Sequence, residues 1–225
     1  MKKILFFIII IICIYFIYQV NNNRLDYMDI GDSSSLGINS YGNKTYGYND
    51  YIKNYLETNN FLNSYNNIFS KSKYRISELN NDIINNKDVI YNNRTYNIRK
   101  SLRETDLLTI FIGMDEVIDL INRNNTSEID NLINNMDNLI KNIKLYCKNK
   151  IILIGYYNPY DNIDFYKLFS YISDKYIEIA KKYNIIYVDI NNIVSNDKTI
   201  LPNKNDYHLT SKGYLKISNR VIKFI

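Results

Sequence analysis

The chain contains one histidine, His208, set in the polar run Asn205-Asp206-Tyr207-His208 shortly before an apolar-periodic C-terminal stretch. A neutral imidazole can take a proton from a serine hydroxyl near neutral pH, provided that a carboxylate fixes its tautomer. Asp206 is the nearest carboxylate for that task. The candidate serine is Ser33, in the corner Gly31-Asp32-Ser33, which directly follows an extended apolar stretch in a chain with only seven glycines. A serine presented there is inert by itself. It becomes an acyl-transfer nucleophile when a base, an orienting acid and oxyanion donors surround it. A single loop histidine taken alone reads as a surface residue, and its coincidence with the Gly-Asp-Ser corner is what points to chemistry.

The elements that must bring these residues together alternate in kind. Leu25 to Ile30 reads as a first strand, with Asp26 and Asp29 marking its polar side. Tyr48, Ile52, Tyr55 and Leu56 keep a helical period, Tyr65 to Phe69 suggests a short second strand, and Ile76 to Ile84 a second helix led in by Arg75. Asn85 to Asn93 reads as a polar break, and Ile98 with Leu102 continues a weaker helical pattern. Leu107 to Ile112 is a continuous apolar run of the kind found in strands buried on both faces. A long helix from Thr126 or Ser127 to Cys147, a strand at Ile151 to Tyr157, a helix at Phe165 to Tyr183, a strand at Ile185 to Asp189 and a closing helix at Lys212 to Phe224 complete the pattern. Strands separated by such helices need crossover connections. The fold class expected is therefore α/β, a three-layer αβα sandwich on a mainly parallel sheet, whose sites gather at the carboxyl ends of strands.

With the residues laid out in this order, Gly31-Asp32-Ser33-Ser34-Ser35 with Gly37 resembles the first block of the SGNH (GDSL-type) hydrolases, and Asp206-Tyr207-His208 with Gly213-Tyr214 resembles their last. Ile110-Phe111-Ile112-Gly113-Met114-Asp115-Glu116 occupies the place of their Gly-x-Asn-Asp block, and the start at Gly47 to Tyr51 is similar to uncharacterised membrane-anchored bacterial members. The resemblance runs from about Leu25 to the C-terminus and implies a five-stranded flavodoxin-like sheet. It implies Ser33 as nucleophile and backbone oxyanion donor, His208 as base, Asp206 as orienting acid, and no metal or cofactor. Three departures follow. The family's acid usually stands where this chain has Asn205. The glycine of the second block has no counterpart in Ser72-Lys73-Tyr74-Arg75. The donor asparagine of the third block, beside Gly113, is Asp115. An ionised carboxylate at an oxyanion would repel it, so either Asp115 is held protonated or a cation neutralises it. Arg75 is the expected cation, pairing with Asp115 and lining the oxyanion side together with Gly113.

Upstream, Lys2 and Lys3 precede an almost unbroken apolar run from Ile4 to Val20. At ~1.5 Å per residue this run spans about 25 Å, enough for a signal or a membrane anchor. No small-residue cleavage site follows it, so residues 1–20 are expected to form an uncleaved signal anchor, 21–24 a linker and 25–225 the SGNH-like domain. Lysines before the span favour a domain outside the membrane. The expected location is the cell membrane, single-pass, with the domain extracytoplasmic, or secreted if the segment is cleaved. Cys13 and Cys147 lie in unrelated segments and imply no disulfide. The formal charge of +5 is dispersed rather than gathered in a stripe, which argues against a nucleic-acid partner. The expected partners are the membrane and an ester substrate, either an acyl lipid or an O-acyl carbohydrate. The rival reading is an inactive, membrane-tethered binding module of the same fold.

Overall fold

The computed structural model describes Ile10 and residues 24–160, 162–194, 197, 199–203 and 206–225. The expected anchor at 1–20 lies, apart from Ile10, outside the described residues. Among the described residues no helix is long and apolar enough to cross a membrane.

Five strands form one sheet: β1 (Leu25–Gly31), β2 (Leu62–Asn66), β5 (Leu107–Phe111), β6 (Lys150–Ile154) and β7 (Ile186–Val188), in the spatial order β2-β1-β5-β6-β7 with every pairing parallel. The second strand thus starts three residues earlier than its apolar content suggests. A separate antiparallel hairpin, β3 (Asp88–Tyr91) and β4 (Arg94–Asn97), occupies most of the stretch expected to be a polar break. Its two-residue turn, Asn92-Asn93, has φ of 48° and 59°. Paired left-handed residues give the turn whose twist matches a hairpin, and asparagine tolerates that region better than most side chains.

Eight helices accompany the strands among the described residues: α1 (Tyr48–Thr58), α2 (Ile76–Ile84), α3 (Ile98–Glu104), α4 (Met114–Asn122), α5 (Ile129–Tyr146), α6 (Ile163–Tyr183), α7 (Asn191–Val194) and α8 (Ser211–Val221). Helices α1, α7 and α8 group together, and α2 to α6 form the other set, giving three layers. Both faces of the sheet are therefore covered. That is why β5 is buried along its whole length and why the apolar runs of β5 and β6 are continuous rather than alternating. It also overturns one expectation. Asp29 is not on a polar side of β1; it is fully buried, accepting from Thr109 Oγ1 at 2.7 Å, from Asn49 Nδ2 at 2.8 Å and from the Tyr48 hydroxyl. A buried carboxylate is tolerable only with such donors around it. These donors fasten the start of α1 to the sheet just below the Gly-Asp-Ser corner.

Candidate active site

β1 delivers the corner at the carboxyl edge of the sheet. Gly31 is required there by crowding, since a Cβ would stand 2.0 Å from Ser35 Oγ and 2.2 Å from Phe111 O. Asp32 then ties the turn down: Oδ1 accepts the Ser34 N–H at 3.1 Å and Oδ2 accepts the Gly113 N–H at 3.0 Å. Burial, reinforced by the charge of Asp115, pushes the Asp32 carboxyl up to about 8. Gly113 itself has φ of 98°, and a Cβ there would meet the Tyr156 hydroxyl at 2.3 Å, so only glycine fits. Its N–H is spent on Asp32. Gly113 thus holds the nucleophile turn and lines the pocket beside Asp115; its own amide is not pointed at Ser33.

Ser33 is 3% exposed. Its Oγ lies 3.2 Å from Asp115 Oδ2, to which it donates, 3.2 Å from Ser72 Oγ, and 3.3 Å from the Lys73 N–H, from which it accepts. The segment carrying Ser72 and Lys73 is stitched to the end of β1: the Gly31 N–H donates to Ser70 Oγ at 3.0 Å and the Lys71 N–H to the Gly31 carbonyl at 3.1 Å. Lys73 has φ of 55°. Lys73 thus combines a left-handed backbone with an N–H that donates to Ser33 Oγ, in the segment where the family's second block has its glycine. No rule of composition points to it, because lysine is not a residue the left-handed region favours.

The 206–208 segment lies beyond β7, just before α8. The Asp206 carboxylate accepts the His208 backbone N–H at 2.9 Å, and the same Oδ1 lies 2.6 Å from Nδ1. That contact fixes the proton on Nδ1 and leaves the Nε2 lone pair as the basic site. Nε2 is buried and has no hydrogen-bond partner among the described residues. The ring stacks on Tyr207 with centroids 4.3 Å apart. Tyr207 in turn donates its hydroxyl to Asp115 Oδ1, while Tyr157 donates to the Tyr207 carbonyl. Both oxygens of the Asp115 carboxyl are thus occupied, one by Ser33 and one by Tyr207. In this conformation the Ser33 proton is directed to Asp115, and the contacts of Ser33 Oγ are Asp115, Ser72 and Lys73 rather than His208. Contacts between a nucleophile and its base commonly tighten only when substrate is bound.

Arg75 corrects an expectation. It pairs with Asp119 at 3.5 Å, its side chain 52% exposed, and not with Asp115. Arg75 is the residue before the first turn of α2, and its side chain runs outward along α4, toward Asp119 one turn beyond Asp115. Asp115 therefore has a phenol, not a guanidinium, as its partner. Glu116 reaches back to α2, accepting the Ile76 N–H at 2.7 Å. Among the described residues no cluster of three or more His, Cys, Asp or Glu could hold a metal ion.

The geometry has parallels among known proteins. No curated protein matches the chain by sequence. Among solved structures, the chain is similar to the lipase Lip_vut3 from a goat rumen metagenome, with 18% identity and a TM-score of 0.73 over 88% of this chain and 96% of that one. It is similar to a catalytic mutant of the acetylxylan esterase Axe2 from Geobacillus stearothermophilus, with 15% identity and a TM-score of 0.67 over 88% and 93% of the two chains. It also resembles a putative GDSL-like lipase from Parabacteroides merdae, with 15% identity and a TM-score of 0.66 over 89% and 95%. At these identities the likeness is one of fold. The GDSL-like Lipase/Acylhydrolase family model matches residues 27–221, from the first strand to the last helix, and the chain belongs to that family of ester hydrolases.

Proposed function

We propose that the chain is a membrane-anchored, extracytoplasmic serine esterase that works through an acyl-enzyme on Ser33. The observation that carries this is the meeting of two distant segments over one carboxyl: Ser33 and Tyr207 bond the two oxygens of Asp115, and next to Tyr207 stands a histidine with Nδ1 on Asp206 and with Nε2 unpaired among the described residues. His208 Nε2 takes the Ser33 proton as Oγ attacks the ester carbonyl, and Asp206 stabilises the imidazolium. The Lys73 N–H, already within 3.3 Å of Ser33 Oγ, and the Ser33 N–H receive the oxyanion. Collapse releases the alcohol with a proton from His208, and water then repeats the sequence on the acyl group. A lipase and an acetylxylan esterase among the structural relatives make acyl lipids and O-acyl carbohydrates the substrate classes to examine, and a position outside the membrane favours acyl groups on surface polymers. The lysines and apolar run at the N-terminus support the anchored placement.

One observation favours a second reading. Asp115 accepts the Ser33 hydroxyl where the family places a donor, which fits a weak enzyme or a fold retained for binding. Fluorophosphonate labelling of the full chain, beside Ser33→Ala, separates the two. Labelling abolished by the substitution upholds the esterase, and absence of labelling across the pH range in which the chain is folded upholds the binding module.

A further inference from the structure

The two edges of the sheet differ in charge. All five strands run the same way, so the helices that cross between them start near the carboxyl edge and end near the amino edge, whereas α3, which follows the hairpin, starts at the amino edge. Acidic residues fill first turns: Asp50, Glu78, Asp115 with Glu116, Asp130 and Asp164. At the other edge basic residues stand in the last turns of four helices, Arg103, Lys144, Lys181 with Lys182, and Arg220, beside the carboxylates of Glu57 and Glu104, while α1, α2 and α4 have none there. Helix dipoles favour this distribution and account for part of it. They do not account for the hairpin or for the apolar residues exposed around it.

The strand pair β3–β4 follows the end of α2 and leads into α3, on the amino side of the sheet: the Ile98 N–H closes onto the Lys87 carbonyl at 3.0 Å, and α3 ends just before Asp106, whose N–H bonds the Asp26 carbonyl at 2.9 Å beside the start of β1. Ile90, on the hairpin, is 77% exposed, and Tyr91, Ile84 and Leu145 are exposed with it. Cations lie among them. Arg99 bonds the Ile83 carbonyl at 2.9 Å and lies 4.9 Å from the centroid of the Tyr146 ring, with Arg103 over the same ring at 5.2 Å. Arg94, Arg99, Arg103 and Lys148 have no carboxylate within ion-pair distance among the described residues. Exposed aliphatic and tyrosine side chains mixed with unpaired cations suit a bilayer interface. The chain enters the fold at this same edge, at Leu25, four residues after an apolar run that ends at Val20.

We infer that this amino edge, with the β3–β4 hairpin at its rim, rests on the anionic phospholipid surface of the membrane that holds the N-terminal segment. The inference builds on the anchored placement proposed above and adds an orientation to it. The site then lies on the far side of the molecule, above the bilayer by something like the length of α5, about 27 Å. Esters carried on polymers or solutes outside the bilayer are presented to Ser33, and acyl chains within the bilayer are not.

The test uses the full chain reconstituted into vesicles of phosphatidylglycerol or of phosphatidylcholine. In a Cys13→Ser background, Ile90→Cys, Leu145→Cys and, at the opposite edge, Ile163→Cys are labelled with a fluorophore, and quenching by headgroup-spin-labelled lipid is read. The expected result is quenching of the Ile90 and Leu145 probes at least about threefold above the Ile163 probe in phosphatidylglycerol, reduced by Arg94→Glu with Arg103→Glu. Each arginine near an anionic surface is worth about fivefold in partition, so the pair is worth about thirtyfold. Hydrolysis of a small soluble ester by the double variant should be unchanged, which reports that it folds. Equal quenching at both edges, or self-association through Ile90 in the absence of vesicles, overturns the inference. Alkaline carbonate extraction scores the anchor separately. If the chain is released, added vesicles still decide the matter: binding to phosphatidylglycerol and not phosphatidylcholine, lost in the double variant, upholds the face, and no binding refutes it.

Discussion

Replacing Asp115 by asparagine should make this enzyme faster. Asp115 Oδ2 stands 3.2 Å from Ser33 Oγ, close to where the oxyanion of a tetrahedral intermediate would form. Two unit charges about 4 Å apart at an effective dielectric of about 20 repel by about 4 kcal/mol. The Tyr207 hydroxyl bonded to Oδ1 draws off part of that charge, so the actual penalty is smaller. Asparagine removes the repulsion and adds a donor, and one such donor is typically worth about 10²–10³ in rate. The same tyrosine fixes the outcome of the substitution. Its hydroxyl needs an acceptor, so the amide carbonyl takes the place of Oδ1 and the amide nitrogen takes the place of Oδ2, facing Ser33. We expect Asp115→Asn to raise kcat on p-nitrophenyl acetate by about 10²-fold with little change in KM, because the charge that is stabilised develops only in the transition state. Adding Tyr207→Phe should return about tenfold of that gain by letting the amide turn over. Rates are to be normalised to sites titrated with a fluorophosphonate. A kcat for Asp115→Asn equal to or below that of the parent, at full titration, would refute the reasoning and give Asp115 a positive role in the reaction.

Three further outcomes follow from the same geometry. Lys73→Gly should keep activity and stabilise the fold by roughly 0.5–1 kcal/mol, because glycine relieves a left-handed backbone and retains the N–H that faces Ser33; Lys73→Pro, which lacks that N–H and whose ring, locked at φ of about −65°, also displaces the turn, should lose at least ~10²-fold in kcat. Arg75→Ala should leave kcat within about twofold and cost well under about 1 kcal/mol in a denaturant titration, since its partner Asp119 is a half-exposed surface carboxylate. Stability should fall as pH rises through the range set by the two buried carboxyls, Asp29 with its pKa raised to about 6 and Asp32 to about 8. Both bind their proton more tightly folded than unfolded, so their contribution is fully present below about pH 4 and is lost as pH passes the folded values, with a slope of order ~1 kcal/mol per pH unit per group. A midpoint of thermal unfolding that rises from pH 5 to pH 8 would contradict this.

What could be read from the sequence, and what could not, divides along a physical line. The runs at Leu107 to Phe111 and Ile151 to Ile154 were legible because burial on both faces of a sheet demands unbroken apolar residues. That same double burial made Asp29 misleading: in a strand covered on both sides a carboxylate marks an internal hydrogen-bond hub, and alternation has no meaning. The hairpin was hidden because its strands are four residues each and its turn is an asparagine pair in a chain rich in asparagine, where the signal is diluted. Ser33, Asp206 and His208 were nominated by side-chain type. Lys73 was not, because its part is played by a backbone N–H and a positive φ, neither of which a side chain announces.

That distinction bears on whether the corner is an enzyme or a remnant. Decay of a site would be expected to loosen the parts that hold its nucleophile, and the second-block turn is such a part. Lys73 is held in an unfavourable backbone region with its N–H on Ser33, next to the buried core residue Tyr74. Asp32 likewise stays buried to hold the turn, with two backbone donors and a raised pKa, and Gly113 keeps a φ that only glycine adopts with ease. The backbone around Ser33 is thus firmly held, and the departure that faces its hydroxyl is a carboxyl whose second oxygen is already bonded by Tyr207. A change so localised alters how strongly the oxyanion is held without dismantling the nucleophile. For that reason the exchange of a single oxygen for nitrogen at Asp115 is the experiment to which the whole site is most sensitive.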